Sequence, residues 1–378
     1  MVLAVALWLA SVVALPAQVT RSRQVDKKPI SAAEFSRIVR LFSEEEGAFF
    51  SDNFVSNETS YLHVVEKFKE LGVSGGAYLG VGPEQNFTYI AKTHPQIAFI
   101  VDIRREAIVQ HLMYKAIFRL AKTRSQFLSW LLSRSLDGKN PPGPNPTAQQ
   151  LVDYFSEAPT SDKLFSDNLL TIRTTIERNF EIPFSAHDQE LLERIYSAFR
   201  QANLQISFRF AGYGASWGGG FPSLKDLLLE KDLEGNLGNF LASDGDFNYV
   251  RNLQNANRVI PVVGDFAGSK ALAAVADYLR ENGYAVSAFY TSNVEQFLFG
   301  DRAFDSFVAN VRRLPIHDKS VIIRSFRVGW QGHPAQVPGH RMTTVLEKIG
   351  IFLNDYDEGL YRDYWSLISS HFISGNEP

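Results

Sequence analysis

Short, nearly continuous apolar runs alternate with amphipathic stretches in two parts of the chain. Five runs read as buried strands: "GGAYLGVG", "QIAFIVDI", "NRVIPVVGDF", "AVSAFYTS" and "KSVIIRSF". Between them, stretches such as "YLHVVEKFKELGV" place apolar residues at helical spacing. Strands separated by helices pair in parallel and are covered on both faces. The pattern predicts an α/β fold with a doubly wound, mostly parallel sheet.

The middle third of the chain has a different, helical pattern. It opens with "DGKNPPGPNPT", residues 137–147, whose prolines and glycines break any helix or central strand. We predict a single domain over 18–378, with 137–222 as a helical insertion or cap. "QISFRFAGY" in this region is compatible with a strand, and "TTVLEKIGIFLNDYDEGL" near the C-terminus predicts a helix.

Residues 1–17 form an apolar segment that is too short for a comfortable membrane span. Pro16 and Ala17 offer a cleavage point, although no basic residue precedes the apolar run. The segment predicts a signal peptide and export to the periplasm or medium. An uncleaved anchor and a misplaced start remain alternatives, and without a signal the protein would be cytoplasmic. No later stretch predicts a membrane span.

Composition narrows the classes of function. The net charge of −3 gives no field that would gather nucleic acid. Cysteine is absent, which excludes disulfides and thiolate chemistry. The eight histidines have no carboxylate spaced to complete a metal site, so we expect no metal. A small-molecule ligand is the expected partner, and a protein partner is left open.

The strongest motif lies at the ends of the first two predicted strands. Gly80 and Gly82 follow the first strand and allow the backbone to turn tightly and approach a ligand. Asp102 ends the second strand, 20 residues after Gly82, where an acid can accept hydrogen bonds from ribose hydroxyls. A tight turn with a surface aspartate is the structural alternative. Gln85 occupies the position of a third glycine, which argues against NAD or FAD.

"AYLGVGPEQN" followed by "FIVDIRRE" resembles the first two motifs of class I S-adenosylmethionine-dependent methyltransferases, which have a Rossmann-like fold. "VVGDFAGSKAL" and "FYTSNVEQFLF" also resemble an uncharacterised bacterial family of that fold. The methyltransferase resemblance implies a cofactor, S-adenosylmethionine, whose methionine part lies near Gly80 and Gly82. It implies ribose binding by Asp102 and a catalytic or base-binding role for Asp265. The chain departs from the pattern at Tyr78, where an acid is common.

The rest of the predicted cofactor site lies in the glycine turn and at a later strand end. Glu84, Gln85 and Asn86 complete the turn, and Glu84 replaces a glycine that is common in related loops. Tyr290 either stacks on the ligand or is a tyrosine at the edge of the core.

Several other polar residues have two interpretations. Asp265 is a general base, a ligand contact or a helix cap, although Ser269 is closer to the helix start. Ser292 and Glu295 have capping-box spacing. In "SNETS", Asn57 and Glu58 either reach the mouth of the pocket or belong to a helix cap formed by Asn57 or Thr59.

Two classes of function therefore stay open. The first is an enzyme, a methyltransferase that binds S-adenosylmethionine or a related adenosyl ligand. The second is an exported, non-catalytic protein that keeps the fold and binds another ligand or a protein partner. The compartment separates them, because a periplasm supplies no S-adenosylmethionine.

Overall fold

A computed structural model describes residues 28–209, 220–327 and 332–376. The predicted signal peptide and most of the glycine-rich stretch 214–220 lie outside the described residues. Fifteen α-helices occur in the described ranges: α1 Ala32–Phe42, α2 Val65–Leu71, α3 Gln85–Thr93, α4 Arg105–Leu120, α5 Arg124–Leu132, α6 Ala148–Glu157, α7 Asp162–Thr174, α8 Ala186–Ala202, α9 Leu224–Leu228, α10 Asp244–Asn255, α11 Ala271–Glu281, α12 Val294–Gly300, α13 Phe304–Arg313, α14 Ile349–Asp357 and α15 Tyr364–Ser369.

The strands form one six-stranded, mostly parallel sheet, so the protein has an α/β fold. In chain order the strands are β1 Ala77–Gly80, β2 Ile97–Asp102, β3 Val259–Val263, β4 Val286–Ser292, β5 Ile316–Arg327 and β6 Met342–Lys348. Their order across the sheet is β3-β2-β1-β4-β5-β6, and only β6 runs antiparallel among the described strands. The arrangement is compatible with a Rossmann-like fold.

Burial explains why the apolar runs predicted the strands β1 to β4 correctly. Every residue of β1, β2 and β3 is buried, as is β4 except for its last residue, Ser292. Side chains on both faces of a covered parallel strand must be apolar, which gives continuous rather than alternating runs. Because β1, β2, β3 and β4 pair in parallel, their carboxyl ends lie along one edge of the sheet.

Two predictions about secondary structure were wrong. Residues 205–209 form no strand, and only an isolated bridge joins Ser207 to Ser223. The stretch predicted as one C-terminal helix contains β6 before α14 begins at Ile349. A short run of β-branched and apolar residues is compatible with a helix or a strand, and pairing with β5 makes this run a strand. No element was predicted for α10.

A buried ionic cluster holds the mixed edge of the sheet. Arg324 of β5 contacts Glu295 of α12 and Glu347 of β6, and all three side chains are at most 1% exposed. Arg324 Nε donates to Glu295 at 2.9 Å. Because removing one partner would leave a buried charge uncompensated, the cluster fixes β6 against β5. In the described part of the chain, no helix has both the length and the apolarity needed to cross a bilayer.

Candidate functional site

A cavity of about 520 Å³ opens where β1, β2, β3 and β4 end. We call it the strand-end cavity. Four of the predicted site residues line it, namely Gly82, Asp102, Asp265 and Tyr290. A cavity of this size falls in the range that holds small-molecule ligands. It lies where the strand order reverses between β1 and β4, which is where open α/β sheets bind ligands.

The glycine turn after β1 is held by its own side chains. Asn86 Nδ2 donates to the carbonyl groups of Val81, Gly82 and Pro83 at 2.9, 3.1 and 2.8 Å. His111 Nε2 lies 2.8 Å from the Gly82 carbonyl oxygen, and burial lowers the pKa of His111 to about 4. A neutral imidazole therefore donates to this carbonyl. These contacts fix the turn before any ligand arrives.

The two predicted glycines have different roles. A Cβ atom on Gly80 would lie 1.9 Å from Asn86 Oδ1, so no side chain fits there. Gly82 has φ +77°, and a Cβ atom on it would meet only Asn53 Nδ2, at 3.7 Å. Gly80 therefore makes room for the protein's own turn, while Gly82 exposes its backbone to the cavity. Asn86 and Gly80 lie behind the cavity wall.

Asp102 meets the glycine turn but is already paired. Its Oδ2 accepts from the Gly82 N–H at 3.3 Å and from Arg104 Nη2 at 2.8 Å. Its Oδ1 accepts from Arg104 Nε at 3.0 Å. Burial acts to raise the pKa of Asp102, but the charge and hydrogen bonds of Arg104 outweigh it and hold the pKa below its ordinary value. The carboxylate is therefore ionised and neutralised by its own chain.

Glu84 and Gln85 lie behind the cavity in a polar network. Glu84 Oε1 accepts from the Ser56 N–H at 3.2 Å, whereas Oε2 has no partner among the described residues. Burial raises the pKa of Glu84 to about 7. Gln85 accepts a short hydrogen bond from Ser56 and donates to Glu58 Oε2 at 2.8 Å. The network thus ends at Glu58, which does line the cavity.

Asp265 and Tyr290 reach the cavity from β3 and β4. Asp265 Oδ1 accepts from the N–H of Ala267 within its own turn, at 2.9 Å. It does not cap α11, because that helix start is held by Glu44, whose Oε1 accepts from the N–H groups of Lys270 and Ala271 at 2.7 Å. Tyr290 is buried and packs on Tyr89 with ring centroids 5.1 Å apart.

The capping interpretation of Ser292 and Glu295 was wrong. Ser292 has φ +52°, and its hydroxyl donates to Glu58 Oε1 at 2.5 Å rather than to a helix end. Glu295 pairs with Arg324. Asn57 and Thr59 likewise make no cap, since the turn Thr59–Leu62 begins at Glu58 without a side-chain cap. Asn57 and Glu58 both line the cavity.

Sequence reasoning offered Asn57 and Glu58 as residues at the cavity but missed the rest of the segment that covers the strand ends. Residues 43–58, here the covering segment, run past β3 and β2: the N–H groups of Glu44 and Gly47 donate to the carbonyls of Val263 and Ile103, both at 2.9 Å. Phe49 and Phe50 of this segment form an aromatic cluster with Phe297 at the cavity wall. The paired phenylalanines in "GAFFSDN" were the available signal.

No group of three or more histidine and acidic side chains in the described ranges is placed to hold a metal ion. His333 Nε2 lies 3.0 Å from the Ile368 carbonyl oxygen, and His340 Nδ1 lies 2.8 Å from Thr59 Oγ1. His333 and His340 thus contact their own chain at separate places.

The fold and the cavity together define an α/β protein with a small-molecule-sized site at its strand ends. The chain matches a family described as a domain of unknown function, DUF7790, over residues 53–137 and 154–355. The protein belongs to this family. The gap in the match covers most of the proline-rich stretch 137–147 and the start of α6. No curated protein matches the chain.

Proposed function

We propose that the protein is methyltransferase-like and binds S-adenosylmethionine or another adenosyl ligand in the strand-end cavity. The domain is then a doubly wound, Rossmann-like unit over 18–378, with 137–222 as a helical insertion. The strand order β3-β2-β1-β4-β5-β6 supports this, because it is the order of Rossmann sheets. Whether a reaction follows binding is left open.

One observation carries the proposal. The Gly82 backbone and the Asp102 carboxylate, predicted from spacing alone, lie 3.3 Å apart at the wall of one cavity. Gly82 leaves room for a ligand atom to approach the main chain. Asp102 already accepts four hydrogen bonds, one from Gly82 and three from Arg104, so a ribose hydroxyl would take the place of one of these donors. A ribose at this point would meet both groups.

The charged side chains of the cavity are of both signs. Four acidic residues line it, Glu58, Asp102, Asp265 and Asp301, together with three arginines, Arg104, Arg327 and Arg341. Arg104 is bound to Asp102, and a neutral nucleoside or a sulfonium is compatible with this mixture of charges. Methyl transfer depends mainly on orienting the reactants in line, so Asp265 would be one of the polar groups that orient an acceptor.

The Asp102–Arg104 pair favours a second candidate. A ribose-binding acid is more effective when no arginine competes for it, so the pair supports a non-catalytic protein that binds another ligand or a protein partner. Export through residues 1–17 would agree with that candidate. Cellular fractionation and N-terminal sequencing of the mature protein would separate the two.

Binding of adenosyl compounds to the purified chain tests the proposal directly. We expect S-adenosylmethionine, S-adenosylhomocysteine or adenosine to raise the melting temperature and to give a saturable calorimetric titration, with no effect of NAD. The absence of binding by all three adenosyl compounds would refute the proposal.

A glycine pair provides a matched control. Gly82→Ala places a methyl group in the cavity, and we expect affinity to fall about tenfold or more, which corresponds to 1.4 kcal/mol. Gly283→Ala imposes similar backbone strain, since its φ is +68° and its Cβ would also meet open space, but it follows α11 outside the cavity lining. It should bind like the native protein. Equal loss in both variants would indicate a general stability effect.

A further inference from the structure

Glu58 is a fully buried carboxyl group at the wall of the strand-end cavity. It is 1% exposed. Three segments converge on it: the covering segment carries it, Gln85 at the start of α3 donates to Oε2 at 2.8 Å, and Ser292 at the end of β4 donates to Oε1 at 2.5 Å. Each carboxyl oxygen is thus oriented by one neutral donor, and the hydroxyl groups of Tyr290 and Ser325 also lie near the carboxyl group.

No salt bridge joins Glu58 to any lysine, arginine or histidine of the described ranges. Burial raises the pKa of Glu58, and hydrogen bonds from Ser292, Gln85, Tyr290 and Ser325 reverse only part of the rise. An unpaired buried carboxyl is unfavourable for stability, and such groups concentrate at functional sites. Asp102, by contrast, has its arginine.

The backbone near Glu58 is strained at two non-glycine residues. Ser292 and Asn53 have φ of +52° and +48°, and both line the cavity with Gly82, which has φ +77°. A left-handed conformation in a non-glycine residue is unfavourable and is kept only where the surroundings enforce it. At Ser292 the strained backbone presents the hydroxyl to Glu58.

Six phenylalanines contribute to the remaining wall. Phe49 and Phe50 are 36% and 49% exposed, and Phe50 lies 5.8 Å from Phe297 between ring centroids. Phe208, Phe221 and Phe266 also line the cavity. A ligand that fills this space must present an apolar or aromatic surface to the rings.

We propose that Glu58 is the counter-ion for a positively charged group, an ammonium or a sulfonium, on a ligand whose body is apolar or aromatic. The carboxylate is pre-oriented, has no cation of its own, and faces a cavity whose phenyl rings also favour cations. This goes beyond an adenosyl ligand, because any ammonium on a flat apolar body satisfies it. The other acidic groups at the cavity do not replace Glu58: Asp102 is paired, and Asp265 and Asp301 are partly or fully exposed. Two arginines, Arg327 and Arg341, also line the cavity, but no salt bridge among the described residues joins either of them to Glu58.

The experiment compares two small probes of the same shape, benzylamine and benzyl alcohol, by NMR titration of the purified chain at neutral pH. We expect saturable binding of benzylamine, about tenfold tighter than that of benzyl alcohol, since this is the scale of one charge-assisted contact. In Glu58→Gln the preference for the amine should disappear while the weak binding of the alcohol is unchanged.

Glu84→Gln is the matched control, because Glu84 is likewise a buried carboxyl with a raised pKa and no salt bridge among the described residues, but it does not line the cavity. It should keep the preference for the amine. If Glu58→Gln does not fold, Ser292→Ala removes one donor to the carboxylate and should weaken benzylamine binding selectively.

Equal affinity of the native protein for both probes, or an amine preference that survives Glu58→Gln, would overturn the proposal. Neither result depends on adenosyl compounds, so this proposal and the adenosyl proposal can fail separately.

Discussion

Asp102 forms a buried ion pair with Arg104 beside the glycine turn. The 20-residue interval after Gly82 correctly brought the carboxylate to the glycine turn. The interval did not predict that Arg104, two residues later, binds the same carboxylate. That contact depends on the direction of the backbone after the end of β2. Spacing along a chain predicts which strand ends meet, whereas the partner of a side chain is settled by packing.

The pair gives a prediction for stability. Asp102→Ala or Arg104→Met alone leaves a buried charge without its partner and should lower the free energy of unfolding by about 3–5 kcal/mol. The double variant should lose clearly less than the two single losses together. Urea unfolding of the four proteins at one pH measures the coupling, and additive losses would show that the pair contributes little.

Glu58 illustrates the limits at the same scale. Its neighbours in "SNETS" are typical of a helix cap, and local pattern favoured that interpretation at least equally. Its contacts come from residues 85 and 292, far away in sequence. Only the assembled fold distinguishes a cap from a cavity carboxylate.

At the level of elements, the start of α11 depends on a distant segment. The helix has no cap of its own, and the Ser269 suggested by the sequence does not supply one. Glu44 accepts from the N–H groups of Asp265, Lys270 and Ala271 at 3.1, 2.7 and 2.7 Å. A single carboxylate thus ties the covering segment to both the Asp265 turn and the helix.

Removal of that carboxylate should therefore act like loss of a helix cap. We expect Glu44→Ala to lower the free energy of unfolding by about 1–2 kcal/mol, because three main-chain donors lose their acceptor. Glu45→Ala, at an exposed neighbouring position, should change it by less than about 0.5 kcal/mol. Urea denaturation measures both, and equal effects would contradict the role of Glu44.

The elements themselves were predictable where burial imposes one pattern. The strands β1 to β4 are buried on both faces, so their sequences admit few alternatives. β6 is an edge strand of the described sheet, and its "MTTVLEK" is partly polar and runs directly into α14. Local sequence predicts secondary structure least well where pairing with a neighbouring strand, here β5, determines it.

For the whole molecule, one buried acid should make stability depend on pH. The pKa of Glu84 is raised to about 7 in the folded protein, from an unfolded value of about 4.5. The folded state therefore holds the proton more tightly, and Glu84 destabilises the protein progressively as pH rises from about 4.5 to about 7. The full effect is at most about 3 kcal/mol.

Glu84→Gln removes this titration. The difference in unfolding free energy between the variant and the native protein should increase in favour of the variant from pH 5 to pH 8. The buried amide adds a constant to this difference at every pH. Chemical denaturation at several pH values gives the difference, which isolates Glu84 from the other titrating groups. A difference that does not vary with pH would mean that the carboxyl group stays ionised in the fold.

The match to the family begins at residue 53, and this boundary divides the wall of the cavity. The glycine turn, Asp102, Glu58 and Ser292 fall inside the matched residues, whereas Phe49 and Phe50 lie before them. Loops and flanking segments commonly change recognition on a constant scaffold. Relatives that share the glycine turn, Asp102, Glu58 and Ser292 but differ in residues 43–52 would thus bind ligands of different shape. Exchanging residues 43–52 between two such relatives would exchange their ligand preferences.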